Sequence, residues 1–434
     1  MHILLFIFYG LLCGYGIVKI PFFRKSGIRP LLLLLLFATH VAIGCLHNWI
    51  AWHFYPEHGD IWFYFQRSFL TRHRLQSEFG LFLSDNSTWT YISHNAIIFI
   101  QVILNFFSFD NLYINTLLFS FPVFLGNTAL YRLFRRRFPA DPLTAATIFL
   151  LPSTLFWTSC IHREAVLYML LGFLFYWLDQ LFDRAASSLR RPNRRTAFYA
   201  FFCFLLIAYF RSAVALTLIP GLLAWRLAER PLPRRQFRAL TAAIVVIVLL
   251  LAVPCLSLLT SQQQSFLILE GHSRLPLPAL DGSWSSLWRV LPAAIRNGLF
   301  EPLPRSGGQR IYLAFSLETI FIWTIIVMAL FRRLFLQNRP SPPPGQAPLP
   351  SASSYPPPFT EPASTTPTTL PFSLCCLLFA LTGLLLIGIL VPFAGAIVRY
   401  RSIYLPFLLA PFLHSLRHLP LFQRLNTLLT RFLP

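Results

Sequence analysis

Runs of about twenty apolar residues recur from one end of this chain to the other, and Lys and Arg cluster in every second connection between them. A run of that length matches the hydrocarbon core of a bilayer. Inside that core a backbone has no water to bond to, so a spanning segment must be a helix or belong to a closed barrel. The runs lie at 2–22, 30–51, 111–131, 142–160, 165–183, 196–210, 213–228, 239–259, 311–331, 372–392 and 402–416. They predict an all-α fold, a polytopic transmembrane helix bundle of about eleven spans, some short enough to be tilted or incomplete.

Composition agrees. Of 434 residues 56% are hydrophobic and only 12% charged, and the mean hydropathy is +0.61, which excludes an ordinary soluble domain. The formal charge of +21 could indicate nucleic acid. The basic residues form short clusters between apolar runs, however, with no continuous basic tract, so nucleic acid is not expected as a partner and membrane lipids are. Seven cysteines show no paired spacing and no accompanying histidines, which gives neither a disulfide framework nor a zinc motif.

Sidedness follows from the basic connections: Arg24 to Arg29, Arg132 to Arg137, Arg184 to Arg195, Arg226 to Arg238, Arg332 to Arg339 and the tail from Arg417 hold about two-thirds of all Lys and Arg. These face the cytoplasm, as does the C-terminus. The first run carries no basic leader and no small-x-small cleavage site, so it is expected to be retained with its start outside. Gly10 and Gly14 have the spacing of a close helix contact. Loops 52–110 and 260–310 then lie outside. Within them 61–70, 95–107 and the stretch from Ser286 to Leu299, which gathers Leu287, Val290, Leu291, Ala294, Ile295 and Leu299 on one side, are expected as interfacial helices. The organisation expected is a core of 1–338, a Pro-rich disordered cytoplasmic linker of 339–371, and a C-terminal hairpin with a basic tail, 372–434.

Charge near a span is costly enough to be informative. Four groups stand at outer span ends. Glu57, His58 and Asp60 follow the most apolar run, although Gly-Asp before an aromatic stretch is also an ordinary helix start. His162, Arg163 and Glu164 close the stretch from Leu151 to Glu164, where Pro152 loosens the helix and frees backbone groups toward an irregular, water-lined pocket, or where Glu164 caps the next helix and Arg163 pairs locally. Arg211 sits between two short spans, as a substrate ligand or a snorkelling side chain. Arg399, Tyr400 and Arg401 form a basic pair around a tyrosine, suited to a phosphate at headgroup depth or to a lipid headgroup. Glu318 lies inside a span and is expected to pair with an arginine of the preceding loop. His40, His47, His53 and His58 are spread over several turns, and satisfied or interfacial histidines are expected there, not a metal site.

The acidic residue in the first large outer loop (Asp60), the stretch Pro-Ser-x-x-Phe-Trp-x-Ser-x-Ile-x-Arg-Glu from Pro152 to Glu164, and Gly-Ala-x-x-Arg-Tyr-Arg from Gly395 to Arg401 resemble the GT-C class of integral membrane glycosyltransferases. The likeness is strongest to polytopic proteins of bacterial surface-polysaccharide assembly. It implies a chain in the bacterial cytoplasmic membrane that transfers sugar, with inversion, from a polyprenyl-phosphate donor to a glycan or lipid acceptor on the outer face. Asp60 would be the catalytic base, and Glu57, His58, His162, Arg163, Glu164, Arg211, Arg399, Tyr400 and Arg401 would bind substrate. The class often has paired acids or Asp-x-Asp in this loop. Here His-Gly separates Glu57 from Asp60, so the resemblance allows a divalent metal as cofactor without requiring one.

One acid with several arginines suffices for displacement at a sugar carbon that already carries a phosphate, whereas a glycosidase needs two carboxylates. Trp62, Tyr64 and Trp157 are candidates for stacking on sugar or for headgroup anchoring. A polysaccharide polymerase or ligase would use arginines and a histidine with no essential acid. A flippase or transporter would place charge at mid-bilayer in related halves, and a non-catalytic assembly subunit would tolerate loss of Asp60.

Overall fold

The computed structural model describes residues 1–55, 59–77, 96–138, 142–186, 193–228, 239, 256–270, 273–303, 311–336 and 369–430. Among these the named elements are all helices, and the β structure is a single antiparallel bridge between Arg274 and Phe393. The all-α expectation therefore holds. In chain order the helices are α1 (His2–Lys19), α2 (Pro21–Arg24), α3 (Pro30–Phe54), α4 (Gly59–Ser77), α5 (Ala96–Ser108), α6 (Leu112–Arg137), α7 (Leu143–Phe149), α8 (Pro152–Thr158) and α9 (Arg163–Ala186). There follow α10 (Arg194–Phe210), α11 (Ser212–Ala228), α12 (Leu256–Leu267), α13 (Trp284–Ile295), α14 (Ile311–Phe331), α15 (Thr369–Leu390), α16 (Ala394–Arg401), α17 (Leu405–Leu416) and α18 (Pro420–Thr430).

Six of these, α1, α3, α6, α9, α14 and α15, are long and apolar enough to cross a membrane, and there are seven crossings if the bent pair α16 and α17, meeting at 62°, counts as one. The protein is a multi-pass membrane protein. The described residues do not reproduce eleven full spans, for identifiable reasons. The run at 142–160 is broken into α7 and α8, because Pro152 has no N–H to donate and holds Leu151 extended (φ −64°, ψ 121°). Helices α10 and α11 have 17 residues each, about 25 Å of rise against a core of about 30 Å. Residues 240–255 of the run at 239–259 lie outside the described residues, as do Glu57, His58 and the linker up to 368.

Lipid is as apolar as leucine, so the bundle is held by side-chain fit. Its centre is aromatic. Phe134 and Phe379 meet Phe407 edge-on at 5.7 and 5.1 Å, while Trp225 stacks on Phe175 at 6.0 Å and touches Phe372 at 5.0 Å. Such pairs each add about 0.5–1.5 kcal/mol beyond the area they bury.

The chain directions separate two ends. At one end Arg136 and Arg137 hold Asp179 at 2.9 and 2.5 Å, Arg135 donates to the Ser26 carbonyl at 2.5 Å, and Arg132 covers the Phe22 ring at 4.5 Å. These are the basic connections read as inner. The opposite end gathers the turns after α3, α8, α10 and α15.

Residues 61–70 fall within α4 and residues 96–107 within α5. Asn105 on α5 donates to Ser68 of α4 at 3.0 Å and accepts from Asn115 of α6 at 2.6 Å, a buried polar ladder that fixes both helices on the bundle. The stretch from Ser286 becomes α13 followed by a π-turn at Arg296–Phe300. It docks on α15, where Gly298 and Gly388 allow backbone contact, and Ile295 stays 40% exposed instead of joining the packed face.

Candidate functional site

The sequence around Asp60 makes a sharp entry into α4. Gly59 has φ +69°, a left-handed conformation that glycine adopts without strain. Asp60 then occupies the first helical turn, where exposed N–H groups favour a negative charge. Ile61 is buried and Trp62 Nε1 donates to the Asn48 carbonyl at 3.0 Å, which pins the start of α4 to α3.

Arg399 reaches Asp60 from the far end of the chain, with Nη1 2.6 Å from Oδ2. Its own helix is fixed by backbone pairing with 273–275: Leu275 N–H donates to Pro392 O at 2.6 Å and Ala394 N–H to Ser273 O at 2.9 Å. Behind Arg399 lies Glu164, 3% exposed in the first turn of α9, with Oε1 3.7 Å from Arg399 Nε and 3.3 Å from Arg211 Nη1. Arg211 sits over the Tyr400 ring at 3.8 Å, and Tyr400 Oη accepts from Arg399 Nη2 at 3.0 Å. Asp60, Arg399, Glu164 and Arg211 thus form one alternating chain of charge with Tyr400 as its floor. Trp157 borders it, its ring 6.0 Å from the Arg399 guanidinium.

Two donors at this site, Arg399 Nε and Trp157 Nε1, are buried without a hydrogen-bond acceptor among the described residues. Donors left in that state suit a ligand rich in oxygen. Burial pushes the Asp60 carboxyl up and Arg399 pulls it down, leaving it below its ordinary 3.8, so it is ionised at neutral pH. Burial, then Arg399, lowers His162 to about 4, so its imidazole is neutral there.

Five of the residues expected from the sequence, Asp60, Glu164, Arg211, Arg399 and Tyr400, come together in direct contact. His162 and Arg163 flank Asp60 closely enough to act on its charge. Arg401 departs from the expectation of a paired phosphate clamp. Two residues along a helix turn a side chain by about 200°, so Arg401 faces away, 1% exposed, and donates to the Glu301 carbonyl, to Thr319 Oγ1 at 2.6 Å and to Phe315 O at 3.4 Å. Among the described residues Glu318 pairs with no loop arginine either. Its Oε1 accepts from Ser153 N–H at 3.0 Å, across the gap that Pro152 leaves in the helix. On the Arg401 side, Phe300, Pro302, Leu303, Ile320 and Trp323 line an apolar groove of about 400 Å³, with Thr319 in its wall.

Among the described residues the surroundings of Asp60 do not fit a divalent cation. Arg399 already engages Oδ2, and Arg163 adds positive potential. Comparison with protein-family models, curated proteins and solved structures finds no match for this chain.

Proposed function

We propose that this protein is an inverting membrane glycosyltransferase of the GT-C kind, moving a sugar from a polyprenyl-phosphate donor to a glycan or lipid acceptor at the outer face of the bacterial cytoplasmic membrane. The observation that carries the reading is the 2.6 Å pair between Asp60 and Arg399, set among Glu164, Arg211 and Tyr400 at the end of the bundle opposite the basic connections.

The pair suits the chemistry. At rest each charge neutralises the other. A donor phosphate entering beside Arg399 competes for its guanidinium and releases Asp60, which then accepts the proton of the acceptor hydroxyl. That oxygen bonds to the anomeric carbon as the carbon–oxygen bond to phosphate breaks, and the electron pair leaves on the phosphate. Negative charge grows there in the transition state, where Arg399 and Arg211 act most strongly. The Trp157 indole N–H can bond a sugar hydroxyl, and the apolar groove offers room for part of an isoprenoid chain.

The test is transfer by purified Asp60→Asn in bilayer discs with a polyprenyl-phosphate sugar. Removal of a general base predicts a loss of about 10²–10⁴-fold in turnover with insertion unchanged. Full transfer by the variant would overturn Asp60 as the base in favour of a polymerase or ligase, and absence of transfer by the parent would overturn the reading in favour of a transporter or an assembly subunit.

A further inference from the structure

His47, Cys160 and His162 lie far apart in the sequence, yet the fold places one ligand atom of each within 4.8 Å of the others. Gly44, one turn before His47, is what lets α3 come so close: a Cβ there would stand 2.3 Å from the Ser159 carbonyl. On the other side, residues 159–162 bend between α8 and α9. His162 N–H donates to Cys160 O at 2.8 Å, and both side chains turn toward α3. All three residues are buried, at 1%, 0% and 4% exposure. Phe156 stacks on the His47 ring at 4.1 Å and Trp157 meets it edge-on at 4.9 Å, walling the cluster from water.

We propose that His47, Cys160 and His162 bind a thiophilic d10 metal ion, Cu⁺ ahead of Zn²⁺, in a closed three-coordinate site joining α3 to the start of α9. Bonds of about 2.0–2.3 Å from such an ion place its ligand atoms about 3.4–3.8 Å apart. His47 Nδ1 and Cys160 Sγ already stand at 3.5 Å, and the widest pair needs to close by about 1 Å. One thiolate and two imidazoles make a soft donor set, suited to copper or zinc and unsuited to magnesium or calcium.

Charge chooses between the two. Binding expels the Cys160 thiol proton to solvent and moves the His47 Nδ1 proton, which bonds the Phe156 carbonyl at 3.1 Å, to Nε2, freeing the Nδ1 lone pair for the ion. With Cu⁺ the complex is neutral. With Zn²⁺ it keeps a positive charge in a site buried from water. A bound ion also fixes the bend that precedes Glu164, so its occupancy bears on the ion-pair chain without belonging to it.

The full chain, stripped with chelator in detergent, is titrated with Cu⁺ against a chromophoric cuprous chelator and, separately, with Zn²⁺. One Cu⁺ per chain is expected, with a sulfur and two nitrogen neighbours in X-ray absorption. The affinity should fall at least about tenfold in Cys160→Ser and in His47→Gln, and Cys13→Ser should match the parent. The sulfur neighbour is read in the parent protein, so the test survives a variant that fails to fold. Absence of stoichiometric binding by the parent, binding without a sulfur neighbour, or parental affinity retained in both ligand variants overturns the proposal. Zn²⁺ retained in preference to Cu⁺ overturns its choice of ion.

Discussion

The Arg211 guanidinium carbon lies 3.8 Å from the centre of the Tyr400 ring, tying the turn between α10 and α11 to the helix that carries Arg399. Tyr400 serves two cations at once, through its face to Arg211 and through its hydroxyl to Arg399. The two roles separate by mutation. Tyr400→Phe keeps the face, so Arg211 holds its place and donor binding weakens about two- to fivefold for one lost hydrogen bond. Tyr400→Leu removes both, and a cation–π contact of about 0.5–2 kcal/mol goes as well, for a loss of about tenfold or more. Equilibrium binding of a polyprenyl-phosphate sugar to the two variants distinguishes these cases.

Removing the guanidinium beside Asp60 reverses the balance that sets its titration. In Arg399→Gln the burial that raises the carboxyl loses its main opponent, so the acid limb of the pH–rate profile moves to higher pH than in the parent. Stability follows the same sign. A carboxylate depressed in the folded state contributes stability above its unfolded value, near 4, and loses it as pH falls through the lower folded value. The variant loses that contribution. Denaturant unfolding of both proteins from pH 7 down to pH 3 reads the difference, with the parent's advantage shrinking as the solution is acidified.

Glu164 is the hub of the charge chain, and its loss is expected to be structural first. It is 3% exposed and stands between Arg211 and Arg399, each about a fifth exposed. Glu164→Gln keeps the size and leaves two cations facing each other around a neutral amide. Breaking a fully buried pair costs about 3–5 kcal/mol; partial solvation of both arginines brings the expected cost to about 2–3 kcal/mol. Thermal unfolding in detergent measures it, and Arg211→Gln in the same background should restore part of the loss.

What the sequence made legible is what depends on periodicity and on the cost of charge in lipid. Apolar runs located α1, α3, α6, α9, α14 and α15, and the rule that charge near a span is costly singled out Asp60, Glu164, Arg211 and Arg399 before any of them could be placed in contact. What it hid depends on geometry across long separations. Arg399 and Arg401 read as one clamp because they flank a tyrosine, but the 100° step of a helix sends them to opposite faces. Cys160 has His162 two positions on, but a pair alone is no metal motif, and the third ligand, His47, comes from 113 positions away. The proline at 152 signalled a loosened span; that Glu318 would accept the Ser153 N–H there was written nowhere in the local pattern.

Glycine illustrates the same limit and gives the last prediction. The visible spacing of Gly10 and Gly14 suggests close helix contact, yet Cβ atoms added there would meet Leu117 at 3.8 Å and Leu34 at 3.4 Å, ordinary van der Waals distances. One tight crossing is made by glycines 90 residues apart that no motif joins. A Cβ on Gly388 would stand 2.0 Å from the Ala294 carbonyl, and one on Gly298 would stand 2.1 Å from Leu384 O. Both obstacles are backbone, so neither can rotate aside. Gly388→Ala therefore forces α13 and its π-turn off α15, and overpacking of about 1–3 kcal/mol outweighs the gain of about 1 kcal/mol in helix propensity. Gly10→Ala meets no such obstacle and keeps the propensity gain. Thermal unfolding should separate the two in sign, with Gly388→Ala below the parent and Gly10→Ala at or above it.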